Sequence, residues 1–278
     1  MRAARSFVLL GSLVAGPTMA QAADLLFSPA PLQAQPQVQT SSDWIITVKG
    51  NLRAGPSYPG ADDFSFIGYP SLSFRRAGTP ERFSAPDDGL SFSFLEESAF
   101  RFGIVGRFQG GRYLEDDRRL AGLEKIDWAV EPGVFVEYWP VEFLRARAEI
   151  RRGFNGHEGF VADFGLDIVQ KFGALTLSAG PRLALGDSEF TRTYFGVTPV
   201  EAALNGEVTA YRPSGGITSV GATAAVGYDW TDQWSTIAFV SYKHLVGDAA
   251  DSPIVERFGS EHQVGVGLTV SYSFGYTP

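Results

Sequence analysis

Glu261-His262-Gln263-Val264-Gly265-Val266-Gly267-Leu268-Thr269-Val270-Ser271-Tyr272-Ser273-Phe274 carries the reading that decides the fold. In steps of two, Val264, Val266, Leu268, Val270, Tyr272 and Phe274 are apolar, while Gly265, Gly267, Thr269, Ser271 and Ser273 are small or polar. A period of two held without a slip is a strand with one apolar face. The small residues argue that the opposite face meets no dense core. In an outer-membrane β-barrel the apolar face looks at lipid and the small polar face into the lumen.

The rest of the chain fits that destination. Phe274 sits where outer-membrane barrels carry a C-terminal aromatic, although Gly275, Tyr276, Thr277 and Pro278 follow it. Arg2 and Arg5 precede an apolar run from Phe7 to Ala15, then Pro17 and Ala20-Gln21-Ala22. This predicts a signal peptide over residues 1–22. Residues 23–42, with Pro and Gln but no strand pattern, read as a flexible periplasmic leader, and residues 43–278 as the barrel domain. The apolar run is too short for a membrane helix, so any spanning falls to strands.

Composition narrows the classes further. With no cysteine, disulfides and thiolate metal sites are excluded. Losing residues 1–22 would remove two of 23 basic residues and none of 31 acidic ones, leaving 21 − 31 = −10. That balance argues against nucleic acid as a partner. The 32 glycines and 13% aromatics belong to a strand-and-turn chain.

The alternation recurs from Trp44 onward. Ile46, Val48 and Leu52 oppose Thr47, Lys49, Asn51 and Arg53; Phe64, Phe66, Leu72 and Phe74 oppose Ser65, Tyr69, Ser71 and Arg75. Phe100, Phe102, Ile104 and Phe108 face away from Arg101 and Arg107, and Val130, Val134 and Val136 oppose Glu131 and Glu137. Leu144, Ala146, Ala148 and Ile150 oppose Arg145, Arg147, Glu149 and Arg151, and Phe160, Phe164 and Ile168 oppose Asp163 and Asp167. Segments 174–184, 215–229 and 233–246 are strand-like, the last without a clear face.

Connections alternate between two classes. Short ones lie near residues 76–79, 96–98, 139–141, 172–173 and 231–232. Long ones lie at 55–63, 110–124, 185–213 and 247–260, with smaller members at 85–89 and 154–159. Short periplasmic turns and longer extracellular loops are the outer-membrane pattern. Both ends of the domain on the turn side require an even count: about 12 antiparallel strands if residues 80–85 form a short one, 10 without its hairpin. Trp44, Tyr138, Trp139, Phe143, Tyr228, Trp230, Trp234 and Tyr272 gather near the short turns, as an interfacial girdle would. A soluble β-sandwich or lipocalin-like barrel shares the period; strands longer than nine residues and a charged opposing face favour the membrane form.

Three loop motifs resemble those of the MipA/OmpV family, named for the MltA-interacting protein. Gly55-Pro56-Ser57-Tyr58-Pro59-Gly60-Ala61-Asp62-Asp63 is similar to the family's Pro-x-Tyr-x-Gly-Ser-x-Asp loop, with Ala61 in place of Ser. Tyr194-Phe195-Gly196-Val197 precedes Tyr211 to Gly216, and Tyr242 to Val255 includes Gly247-Asp248-Ala249-Ala250 and Ser252-Pro253-Ile254-Val255. The resemblance runs from about Trp44 to Phe274. It implies a cell outer membrane protein of a Gram-negative bacterium, with a scaffold role joining a murein lytic transglycosylase to a penicillin-binding protein. Porin-like and adhesion-related members are the alternative.

No catalytic, cofactor-binding or metal constellation emerges. His157, His244 and His262 have no partner at ligand spacing. Asp62-Asp63, Asp87-Asp88 and Asp116-Asp117 read as turn residues in extracellular loops; a rim hydrolase built from such Asp and His groups is the distant alternative. The charged faces are more informative. Arg145, Arg147 and Arg151 share a face with Glu131 and Glu137 before them and Asp163 and Asp167 after them. Opposite charges on one face of neighbouring strands attract, so these seven are expected to form a ladder in the lumen. It would plug the barrel or select small ions. The expectation is a non-enzymatic transmembrane barrel acting as a scaffold, with a small-solute pore as the alternative.

Overall fold

A computed structural model describes residues 43–278 apart from Pro80, Ser98, Asp116 and Pro278. The signal peptide and leader expected over residues 1–42 lie outside the described residues. No described helix is long and apolar enough to cross a membrane.

The domain is one antiparallel sheet of 12 strands. They are β1 (Trp44–Pro56), β2 (Phe64–Arg76), β3 (Leu90–Glu96), β4 (Phe100–Gln109), β5 (Ala129–Val141) and β6 (Leu144–Arg152). Then come β7 (Phe154–Asn155), β8 (Phe160–Phe172), β9 (Leu175–Gly186), β10 (Gly216–Asp229), β11 (Trp234–Leu245) and β12 (His262–Tyr276). The path β2-β1-β12-β11-β10-β9-β8-β6-β5-β4-β3 omits only β7, which pairs with β5 beyond the end of β6. The first and last strands are zipped together, Trp44 opposite Tyr276 and Ala54 opposite Val266. The edges of the path are instead β2 and β3. The fold is an outer-membrane β-barrel with short periplasmic turns and longer extracellular loops.

The faces follow the period of two. Val266 and Leu268 are exposed at 45% and 44%, whereas Ser271 is buried. An exposed apolar belt is stable only because lipid covers it. Gly267 has a second reason to be small: a Cβ there would lie 2.3 Å from the Phe239 ring of β11, which crosses it inside the lumen. Trp234 packs at a tilt against Tyr272 at 4.8 Å and Tyr228 edge-on against Trp230 at 4.7 Å, on the short-turn end. Trp139 departs from the expected girdle. It sits on the lumen side of β5 and donates Nε1 to Glu137 at 2.9 Å.

Residues 81–85 are not a strand. Residues 81–89 instead lie inside the lumen and lead to Leu90, which pairs with Gly106. Phe83 packs edge-on against Trp139 at 6.3 Å, and the Gly89 N–H donates to Glu149 at 3.2 Å. The even number of crossings is thus completed by a segment inside the wall rather than by a strand within it.

Candidate functional site

The lumen charges are positioned by register. Arg147 lies opposite Glu137 on β5, and Arg145 and Glu149 lie opposite Asp167 and Asp163 on β8. Arg145 donates Nε to Glu137 at 2.9 Å and Nη1 to Asp167 at 2.8 Å. Arg147 reaches Glu137 at 3.2 Å. Arg151 donates Nε to Glu131 at 3.0 Å and also bonds Asp163. All seven residues named from the sequence therefore belong to one connected set of ion pairs. Arg145, the most enclosed, is 1% exposed. Buried charges persist only when paired and hydrogen-bonded throughout, and here each carboxylate meets a guanidinium.

Six further members escaped the sequence reading of the ladder. Glu149 bridges Arg147 at 2.9 Å and Arg151 at 2.6 Å. Arg101 bonds Glu137 at 3.2 Å and Arg107 bonds Glu149 at 3.3 Å from β4. The period of two marked these three as inward, which was the available signal. Arg182 on β9 bonds Asp167 at 2.7 Å. It folds across Gly165, its partner in register, where a side chain would crowd the guanidinium at 3.3 Å.

The remaining two members correct an expectation. Asp87 and Asp88 are not in an extracellular loop. Asp87 accepts from Arg182 at 2.7 Å and from Thr223 at 2.9 Å, and Asp88 bonds Arg145. The inner segment carries them into the ladder, where they compensate arginines that β5 and β8 leave underneutralised.

The other half of the lumen is different. A cavity of about 1250 Å³ lies against β1, β2, β11 and β12, with the 81–89 segment and β3 on its far side. Lys49, Arg53, Arg75 and Lys243 line it, among Thr47, Asn51, Ser71 and Thr269. Tyr58, Phe195 and Leu245 cap one end, and Trp44, Arg75 and Arg76 border the other.

The cap belongs to a folded lid built from the long connections. Asp187 caps α1 (Ser188–Phe195) by accepting from the Phe190 N–H, and Thr198 and Glu201 form a capping box on α2 (Pro199–Asn205). A third helix, α3 (Pro253–Phe258), starts on a proline that fixes φ for its first turn. Two apolar clusters join these pieces. Tyr58, Leu120, Val197, Ile254 and Phe258 form one, and Ile126, Tyr194, Phe195, Leu245 and Val255 the other. All three motifs that carried the family resemblance meet here. Gly60 is required: its φ is 95°, and a Cβ would come within 2.7 Å of Val255. Burial, with Asp117 adding, pushes the Tyr58 phenol up to about 12, and its hydroxyl has no partner among the described residues.

The structure does not bring the rim Asp and His groups together. Asp62 pairs with Arg119 at 2.7 Å. His157 is buried under the lid against Phe190 and Tyr194, with Nε2 at 3.0 Å from Glu131. His244 and His262 stack on each other at 5.0 Å, away from both. Among the described residues, no group of three His, Asp or Glu side chains is arranged to hold a metal ion.

A family model described as MltA-interacting protein MipA matches residues 50–274. The chain is similar to outer membrane protein Omp26La of Vibrio anguillarum, 32% identical over 161 residues. That match covers 57% of this chain and 56% of the relative, so it spans little more than half of the relative's length. Similar solved structures include the outer membrane channel COG4313 from Pseudomonas putida F1, at 9% identity and a TM-score of 0.41, over 90% of this chain and 100% of that one. The KdgM porin is another, at 10% identity and a TM-score of 0.37, over 83% of this chain and 99% of that one.

Proposed function

The chain belongs to the MltA-interacting protein (MipA) family of the outer membrane, and from that premise we propose that it is a non-enzymatic scaffold presenting its periplasmic end to murein machinery. The observation that carries this reading is the obstruction of the lumen. The ion-pair ladder fills one half, the 81–89 segment lies inside the wall, and the lid's two apolar clusters cover the extracellular mouth. An obstructed barrel is a membrane anchor with one accessible end. The partner is a murein lytic transglycosylase, with a penicillin-binding protein recruited through it. Crosslinking in native envelopes should recover the transglycosylase, and its absence at saturating crosslinker would sink the reading.

The porin-like alternative draws on one observation, the cavity of about 1250 Å³ beside the ladder. Planar-bilayer recording separates the two. A scaffold gives little steady conductance, while a pore conducts stably from the first insertion.

A further inference from the structure

The two halves of the lumen differ in charge. On the ladder side, Arg101, Arg107, Arg145, Arg147, Arg151 and Arg182 are matched by the carboxylates of β5, β6, β8 and the inner segment. The cavity wall formed by β1, β2, β11 and β12 has no such match. Its inward positions hold Lys49, Arg53, Arg75 and Lys243, and not one Asp or Glu.

Three of these cations are unneutralised. Among the described residues, Lys49, Arg53 and Arg75 make no ion pair within 4.0 Å. Arg53 donates to the Pro86 carbonyl and lies 5.3 Å from the Phe239 ring and 5.7 Å from the Tyr69 ring. Arg75 donates to the Thr79 carbonyl at 2.8 Å. Both keep a buried Nε without an acceptor. Lys243 is shared, since it also borders the cleft that holds Asp87 and Asp163.

The cations are evenly spread. Arg75 pairs with Ile45 in the β1–β2 register, so Arg75, Lys49 and Arg53 follow at steps of four residues, about 14 Å each. Neutral donors stand between them in fixed positions. Asn51, held by Thr269 at 2.9 Å, donates to Ser71 at 3.0 Å, and Thr47 is bonded to Ser273 at 2.8 Å. Carboxylates also border the cavity from its far side, but Asp87, Asp88, Glu96, Glu131 and Asp163 are each paired with an arginine, leaving Glu81 alone without one among the described residues. Like charges along the β1–β2 wall then focus a positive potential that is relieved by an anion. Hydroxyl and amide groups between them suit a ligand that also carries hydroxyls.

We propose that this cavity is a binding site for a small hydroxylated organic anion, its carboxylate or phosphate drawn to the Lys49–Arg53–Arg75 wall. The site does not depend on the scaffold reading, and it sits in the half of the lumen that the ladder leaves open.

The test is calorimetric titration of the purified, detergent-solubilised protein with glucuronate, glucose 6-phosphate, glucose and glucosamine. Expected is binding of one or both anions, with their ratio identifying carboxylate or phosphate as the preferred group, and none of glucose or glucosamine. Raising salt from 50 to 500 mM should weaken binding several-fold. Lys49 makes no bond that folding needs, so Lys49→Gln should keep the barrel's heat-modifiable gel migration. It should weaken anion binding three- to tenfold, and Lys49→Glu by more than tenfold. Arg152→Gln, on the outer end of β6, should leave affinity unchanged. The proposal is overturned if neither anion binds, if glucose binds as well as the anions, or if Lys49→Glu binds like the parent.

Discussion

Arg182 Nε donates to Asp87 Oδ2 at 2.7 Å, joining β9 to a residue 95 positions earlier in the chain. This bond, with the Asp88–Arg145 contact beside it, fastens the inner segment to the barrel wall. Arg107 adds a bond to the Asp87 carbonyl at 2.9 Å, and the Gly89 N–H donates to Glu149 at 3.2 Å.

Asp87→Asn should therefore loosen the segment while Asp88 still ties it to Arg145. Replacing the carboxylate leaves Arg182 short of one charge partner in a half-buried site, at a cost of about 2–3 kcal/mol. Urea unfolding in micelles should show that loss, and bilayer recordings should show transient openings absent from the parent. An unchanged urea midpoint together with silent membranes would place the anchor elsewhere.

The lipid face gives a paired test. Leu268→Arg places a guanidinium against hydrocarbon and should cost about 2–4 kcal/mol near the midplane. Thr269→Arg, one residue on, points into the cavity and should cost less, although it gives up the 2.9 Å bond to Asn51. Equal penalties, measured by folding into lipid vesicles, would contradict the assignment of faces.

Phe258 tests the lid as a unit. It is 1% exposed in the cluster that includes Tyr58 and Leu120. Phe258→Ala should cost the lid about 3–5 kcal/mol. Because that core is separate from the strands, loops 110–128 and 187–215 should become protease-sensitive while barrel migration on gels stays unchanged.

Alkaline pH should loosen the same cluster. The Tyr58 phenol titrates near 10 when unfolded and at about 12 in the lid, first because of burial. Its contribution is then fully present below pH 10 and is lost as pH rises toward 12. Tyr58→Phe removes this share of the alkaline loss. At neutral pH it should be neutral or slightly stabilising, since the buried hydroxyl has no partner to lose. Protease sensitivity of loop 57–63 between pH 9 and 12 reads both effects.

The wall was legible in the sequence because alternation is local: Val264 to Phe274 and Arg145 to Arg151 show their faces without any knowledge of neighbours. The lumen's contents were not. Asp87-Asp88 stands between Pro86 and Gly89, which is turn chemistry whether the turn meets solvent or an arginine 57 residues away. The parity of crossings hinted at an element over 80–85, but parity cannot tell a strand in the wall from a segment within it. The lid was hidden for a related reason. Tyr58, Tyr194 and Ile254 are apolar singles in separate loops, and they form a core only after the barrel has brought those loops together.

The placement of β1 has a consequence for biogenesis. Its partners are β2 and β12 alone, and β2 pairs with nothing else. The first hairpin to be synthesised is thus joined to the sheet solely through the last strand. Until β12 arrives, that hairpin carries Val48, Leu52, Phe66 and Phe74 with no sheet to join, and an isolated hairpin is barely stable in water. A chain lacking β12 would leave this hairpin without its partner strand, so closure of this side of the barrel waits on the C-terminal strand.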